Sequence, residues 1–232
     1  RIGSAHFIFE DEKVTIPEGE QEKFDALPPE FSQLYLAIDG VLSAVLCISD
    51  PVREEAKDVL SALRSLGVKN AVMLTGDSPR TATAIAKELG VDDFRAGVLP
   101  ADKADYVSAL RREGHTVLMV GDGINDSPAL SEADAGIAIS DGAAIAREIA
   151  DITIAADSLW ELVRLRELSM ALLHRIQNNY RFVIGFNGAL IGLGVAGVLP
   201  PATSAMLHNL STLGVSLHSM SALPISKPDQ RS

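Results

Sequence analysis

Hydrophobic positions along the chain fall into two regimes. Up to residue 157 short apolar runs alternate with amphipathic stretches, whereas from Phe182 onward one long apolar tract dominates. In the first regime, Leu34 to Ile38 and Val41 to Ile48 read as strands joined by Asp39-Gly40. A two-residue Asp-Gly link between apolar strands predicts a tight hairpin, because both turn positions need positive φ. His6 to Phe9 reads as a further strand, so Arg1 to Ile48 is expected to be β-rich, with a polar, acidic connection through Pro17, Gly19, Pro28 and Pro29. Ser49-Asp50-Pro51, followed by Arg53 and Glu54, marks a break that we read as a hinge between domains. Proline there disfavours helix before it and suits the first turn of a helix after it.

Beyond the break the period switches back and forth between helix and strand. A helix is expected from Arg53 to Leu66 with Gly67 as its stop, then a strand from Lys69 to Leu74, a helix from Pro79 to Leu89 with Gly90 as its stop, and a short strand near Phe94 to Gly97. Leu99-Pro100-Ala101-Asp102-Lys103 opens a helix to Arg112, and Val117 to Val120 is an apolar run of the kind that fills a parallel sheet. A helix near Ser127-Pro128, a strand from Ala135 to Ile139, a helix from Ala143, a strand near Asp151 to Ile154 and a helix from Ser158 toward Arg181 complete the series. Alternation of this kind with short loops implies a parallel α/β sheet.

From Phe182 to Ser226 there is no Asp, Glu, Lys or Arg. One bilayer crossing takes about 20 apolar residues, so this tract predicts two transmembrane helices with a tight turn at Leu199-Pro200-Pro201. Glycines 185, 188, 192, 194 and 197 suit close packing of membrane helices. Arg175 and Arg181 before the tract, and Lys227 and Arg231 after it, would put both ends on the cytosolic side. The bland alternative is a buried helical hairpin in a soluble protein. Charge sharpens the division: residues 1–160 carry 28 acidic and 14 basic side chains, and residues 161–232 carry three and six. An acidic body argues against a nucleic-acid partner, and its union with a mildly basic apolar tail fits a cytosolic domain attached to a lipid bilayer. Cys47 is the only cysteine, so the chain can form no internal disulfide, which agrees with a reducing compartment. The chain opens on Arg1 without a signal-peptide pattern, and we read it as part of something longer.

Candidate chemistry sits at the ends of the predicted parallel strands, where open α/β sheets bind ligands. After Val117 to Val120, Gly121 and Gly123 bracket Asp122, and Asp126 follows four residues later. Hard carboxylate oxygens there suit magnesium together with a substrate phosphate, although a Gly-Asp turn and a helix cap by Asn125 or Asp126 would read the same way. After the Lys69 to Leu74 strand, Thr75 offers a hydroxyl and Gly76 allows close backbone approach, while Asp77 or Ser78 could simply cap the next helix. Lys103, at the start of its helix, could balance the charge of a carboxylate nucleophile and a phosphoryl group. Ala37 to Leu42 imitates a phosphatase nucleophile motif, but alanine stands where the nucleophile would be.

The full string Val117 to Leu130, with Asn125, Asp126 and Pro128, resembles the magnesium-binding loop of P-type cation-transporting ATPases, in the haloacid-dehalogenase-like superfamily. Thr75-Gly76-Asp77 matches the TGD motif, Lys103 the lysine of PxDK, and Asp122 to Leu130 the GDGxNDxPAL motif. The whole chain resembles the C-terminal third of a heavy-metal (class IB) member. The resemblance implies a haloacid-dehalogenase-like Rossmannoid sheet, preceded by the end of an α+β nucleotide-binding domain and followed by two transmembrane helices. Residues 1–48 would end the nucleotide-binding domain, 49–157 would form most of the phosphorylation domain, 158–181 a linker helix, 182–226 the membrane helices and 227–232 a cytosolic tail. It further implies ATP and Mg2+ as cofactors, Asp122 and Asp126 at the magnesium, Asn125 in support, Thr75 and Lys103 on the phosphoryl group, and an integral protein of a bacterial plasma membrane with residues 1–181 cytosolic. The family's DKTGT, TGE, His-Pro and CPC motifs are missing from the chain. The phosphorylated aspartate is therefore expected on an upstream part of the same polypeptide. Alternatives are a soluble phosphatase of the superfamily, a non-catalytic relative, or a regulator that binds a partner ATPase through the helical hairpin.

His208, Ser211 and Thr212 share one helix face by their i, i+3 and i+4 spacing, and polar groups in a membrane segment turn toward a partner or a pathway. They are the candidate site for a transported metal. The stretch partly follows both the Met-x-x-Ser-Ser pattern of copper-transporting relatives and the His-Glu-Gly-x-Thr pattern of relatives associated with divalent ions. Imidazole with oxygen partners favours a divalent transition-metal cation over cuprous ion.

Overall fold

The computed structural model describes residues 1–28, 31–48, 51–121, 125–139, 148–154 and 158–224. The chain divides into two compact units, 1–161 and 162–232.

The first unit begins with a three-stranded antiparallel sheet of β1 (Ile2–Gly3), β2 (Ser32–Ile38) and β3 (Val41–Ile48), in that order. The β2–β3 turn is the expected tight hairpin: Ile38 pairs with Val41, and Asp39 and Gly40 have φ of 51° and 78°. The expected strand from His6 to Phe9 does not form. His6–Asp11 is instead a single π-helical turn, and α1 (Gln21–Asp25) follows. A strand would send alternate residues to opposite faces, whereas the turn buries Ile8 completely and stacks Phe9 edge-on against both Phe24 and Tyr35. Aromatic burial in one cluster with Val14, Ala37 and Leu42 outweighs the local strand pattern.

The βα series follows as expected, with ends trimmed by a few residues: α2 (Ala56–Ser65), β4 (Val72–Leu74), α3 (Pro79–Leu89), β5 (Asp93–Arg95), α4 (Pro100–Arg112), β6 (Leu118–Gly121), α5 (Ser127–Glu132), β7 (Ala135–Ile139) and β8 (Ile152–Ile154). Helix α3 shows how local chemistry sets its bounds. The Ser78 side chain accepts the Thr81 N–H, Pro79 takes the first turn, and Gly90 ends the helix at φ 69°. All strand pairs in this series are parallel, but they form two sheets, β4-β5 and β6-β7-β8. Strands β4 and β6 therefore each have one edge without a partner strand among the described residues. Parallel strands are normally covered on both faces, yet Leu118 and Val120 of β6 are 51% and 36% exposed. The helix expected from Ala143 lies outside the described residues.

The second unit holds most of α6 (Trp160–Val195) and α7 (Pro201–Ser219), separated by the expected break at 196–200. The Arg175 guanidinium donates to the carbonyls of Ser219, Ser221 and Ala222, so a cation on α6 satisfies the C-terminal end of α7. Two expectations for this unit are not shown among the described residues. No helix among the described residues is long and apolar enough to cross a membrane. The first half of α6 carries Glu161, Arg164, Arg166, Glu167 and Arg175, and α7 is interrupted by Ser204, His208, Asn209, Ser211, Thr212, Ser216 and His218. A Cβ at glycine 185, 188, 192 or 194 would meet nothing within 4 Å, so no close helix contact is seen at them within the described residues. Many large apolar side chains of both helices are instead exposed, including Phe182, Ile184, Ile191, Leu210, Leu213 and Leu217.

Candidate active site

The loops after β4 and β5 hydrogen-bond to each other, and the helix after β5 sends a lysine to the loop after β6. Thr75, just after β4, donates its backbone N–H to Arg95 and accepts the Val98 N–H, while Asp77 accepts the Gly97 N–H. The 75–77 loop thus lies against the loop that feeds α4 and carries Lys103. Asp102 helps to set the start of α4, its carboxylate accepting the Leu99 N–H at 3.3 Å.

Lys103 Nζ donates to Asp126 Oδ1 at 2.7 Å, with the two side chains only 13% and 14% exposed. Asp126 occupies the N-cap position of α5 but makes no side-chain cap bond. The bland capping role is therefore not the one its carboxylate plays. Gly121 explains how the carboxylate reaches its place, since a Cβ there would come within 2.5 Å of Asp126 Oδ2 and 2.7 Å of its Cβ. That spatial need was not legible in the sequence beyond the glycine itself. Behind the pair, Val107 and Ala129 are buried in a cluster with Ala133, which fixes α4 against α5.

Thr75 Oγ1 donates to Asp77 Oδ2 at 2.8 Å and accepts the Asp77 N–H at 3.1 Å, and Asp77 Oδ1 accepts the Ser32 hydroxyl at 2.8 Å. Gly76 is exposed at the tip of the loop. Asn125 is described and exposed. Asp122 lies outside the described residues. Ala37, at the position that imitates a phosphatase nucleophile, is buried in the antiparallel hairpin opposite Leu42, remote in kind from a parallel strand end.

In the second unit, His208 Nδ1 lies 2.8 Å from Asn187 Oδ1. Ser211 and Thr212 donate their hydroxyls to the His208 carbonyl, at 2.8 and 3.0 Å, and so bond back to their own helix. Asn187 was missed in the sequence, although it is a polar residue inside the apolar run Phe182 to Leu193. Among the described residues no group of three or more His, Cys, Asp or Glu side chains is placed to hold a metal ion.

A parallel α/β unit with a Lys–Asp pair and a threonine loop at its strand ends is the arrangement of a haloacid-dehalogenase-like domain. The sequence matches the haloacid dehalogenase-like hydrolase family over residues 3–134, and the chain belongs to that family. Among the proteins it is similar to are heavy-metal P-type ATPases. It is 43% identical over 206 residues to a manganese-exporting P-type ATPase of Mycobacterium leprae, covering 88% of this chain and 28% of that protein. It is 44% identical over 176 residues to copper-transporting ATPase 1 of Rhizobium meliloti, covering 76% and 21%. A zinc-transporting PIB-type ATPase in its E2.Pi state superimposes with a TM-score of 0.76 at 31% identity, covering 94% of this chain and 35% of that one. The chain spans between a fifth and a third of the length of the curated relatives it matches.

Proposed function

We propose that residues 1–161 carry part of the phosphoryl-transfer site of an ATP-driven transition-metal cation pump, whose aspartate nucleophile stands on another part of a longer polypeptide. The Lys103–Asp126 pair, held nearly buried at the strand ends, is the observation that carries this reading. A lysine there neutralises the phosphoryl oxygens as charge moves toward the acceptor, and the Thr75 hydroxyl donates to one of them. Asp77 orients that hydroxyl. The donor set fits magnesium, because Asp126 offers hard carboxylate oxygen over the space left by Gly121. Asp126 and Asp122 would hold the ion, which would supply charge neutralisation at the transferring phosphate. The free edges of β4 and β6 support an upstream strand as the source of the nucleophile. On this reading residues 1–48 end the nucleotide-binding domain and 49–157 belong to the phosphorylation domain.

For the second unit we propose insertion into a bilayer as part of a larger helical bundle, with residues 1–181 cytosolic. The exposed apolar side chains of α6 and α7 support burial in lipid or against other helices. A polar stripe on α7 is expected of a helix that faces a pathway. With Nδ1–H donating to Asn187 Oδ1, a neutral His208 ring would keep the Nε2 lone pair for a metal. His208 with the oxygens of Ser211 and Thr212 favours a divalent cation as cargo, with copper the second choice.

Residues 1–232 alone should form no acid-stable phosphoenzyme from ATP and Mg2+, whereas the longer polypeptide should, and Asp122→Ala or Lys103→Ala should nearly abolish it there. Robust phosphoenzyme from residues 1–232 alone would favour a self-sufficient phosphatase of the superfamily and sink the proposal. Detergent-free solubility of the intact chain at high concentration would count against the membrane assignment.

A further inference from the structure

Asp77 has two partners of different origin. One oxygen accepts from Thr75 within its own loop, and the other accepts from Ser32, which lies 45 positions earlier in the sequence. Ser32 opens β2 and pairs with Ile48, the last residue of β3, at the point where the chain leaves the antiparallel sheet for the βα series. Its place is held independently of Asp77. The Arg80 guanidinium donates to the carbonyls of Asp25 and Leu27 at 3.2 and 2.8 Å, and the Thr81 hydroxyl donates to the carbonyl of Phe31 at 3.3 Å. The first turn of α3 therefore holds the carbonyls of Asp25, Leu27 and Phe31, which precede Ser32, beside the loop that carries Thr75.

The consequence lies in the proton inventory of the loop. A threonine hydroxyl has one proton, and that of Thr75 is directed to Asp77 Oδ2. To donate to a phosphoryl oxygen, Thr75 must turn its proton away from Asp77, so the position and charge of Asp77 set how readily it does so. Among the described residues, Ser32 is the group outside the loop that hydrogen-bonds to that carboxylate. We propose that Ser32 is a positioning residue for phosphoryl transfer, acting from the antiparallel sheet through Asp77 on the hydroxyl of Thr75. The proposal rests on the phosphoryl-transfer reading above for its catalytic consequence but not for its geometry.

Two measurements test it. In residues 1–232, Ser32→Ala should speed amide exchange at Asp77, whose N–H donates to Thr75 Oγ1, about tenfold, while Ser32→Thr, which keeps the hydroxyl, should restore protection. In the longer polypeptide, Ser32→Ala should lower the rate of phosphoenzyme formation about tenfold with the KM for ATP unchanged, Ser32→Thr should recover it, and Ser32→Ala should add no further loss in an Asp77→Ala background. Unchanged Asp77 exchange, an equal loss in Ser32→Thr, a change confined to KM, or full additivity with Asp77→Ala would each overturn the proposal. Lys103→Ala separates the two levels. If Lys103→Ala abolishes phosphorylation and Ser32→Ala does not slow it, only the positioning role fails; if Lys103→Ala leaves phosphorylation intact, the phosphoryl-transfer reading itself fails.

Discussion

Removing the lysine of the Lys103–Asp126 pair should be among the costliest single changes in the first unit. The two side chains are 13% and 14% exposed and meet at 2.7 Å. Breaking a fully buried ion pair by deleting one partner costs about 3–5 kcal/mol, since the remaining charge is stranded, and the residual exposure here lowers the expectation to roughly 2–3 kcal/mol. Lys103→Met keeps most of the apolar stem and so isolates the loss of charge. Asp126→Asn should cost a similar amount by leaving the ammonium unbalanced. The double variant should be less destabilised than the two losses combined, with a coupling of about 1–2 kcal/mol. Urea unfolding of the intact chain reads this directly, because Trp160 is the only tryptophan, is half-buried and belongs to the first unit. With a urea slope of about 2 kcal/mol/M, Lys103→Met should move the midpoint down by roughly 1 M without altering the slope. A midpoint within about 0.25 M of the parent, or losses that simply add in the double variant, would show that the pair is a solvated surface contact and would refute the reasoning.

Three further outcomes are expected. Gly136→Ala should destabilise by about 1–3 kcal/mol in the same assay, because the new Cβ would lie 2.5 Å from the Leu130 carbonyl oxygen and 3.0 Å from its carbon, which are backbone atoms with little freedom to retreat. Asp92 accepts the Ala71 N–H and the Arg64 guanidinium, which hold its carboxyl below the usual carboxylate range; its contribution to stability is present above the unfolded pKa and lost as pH falls through the lower folded value, so Asp92→Asn should flatten the acid limb of a stability-against-pH profile. Asp39→Ala should cost about 1 kcal/mol in unfolding, because alanine tolerates the φ of 51° poorly, and should leave phosphoenzyme formation in the longer polypeptide unchanged; a catalytic loss matching that of Asp122→Ala would refute its assignment as a turn residue.

What the sequence determined by itself was whatever a few neighbouring residues control. Asp39-Gly40 dictates its turn through backbone sterics, Ser78-Pro79 and Gly90 dictate the two ends of α3 through capping, and the run Ala135 to Ile139 forms a strand with the expected bounds. The motif order from Thr75 through Lys103 to Asp126 was legible for the same reason, since each motif is short and each follows a strand. Other features depended on partners distant along the chain. His6 to Phe9 carries a strand-like pattern, but the Phe9 ring is claimed by Phe24 and Tyr35, so the stretch forms a helical turn. Asp126 has the position and chemistry of a cap, and only the approach of Lys103 from α4, over a strand end left open by Gly121, turns its carboxylate elsewhere. The absence of charge from Phe182 to Ser226 is plain in composition, yet the tract folds as helices of which none, among the described residues, is long and apolar enough to cross a membrane. The partners of Asp77 and His208, which are Ser32 and Asn187, stand 45 and 21 positions away. No local pattern encodes such distances, because a side chain's hydrogen-bond partner is chosen by tertiary packing that brings separate elements within 3 Å.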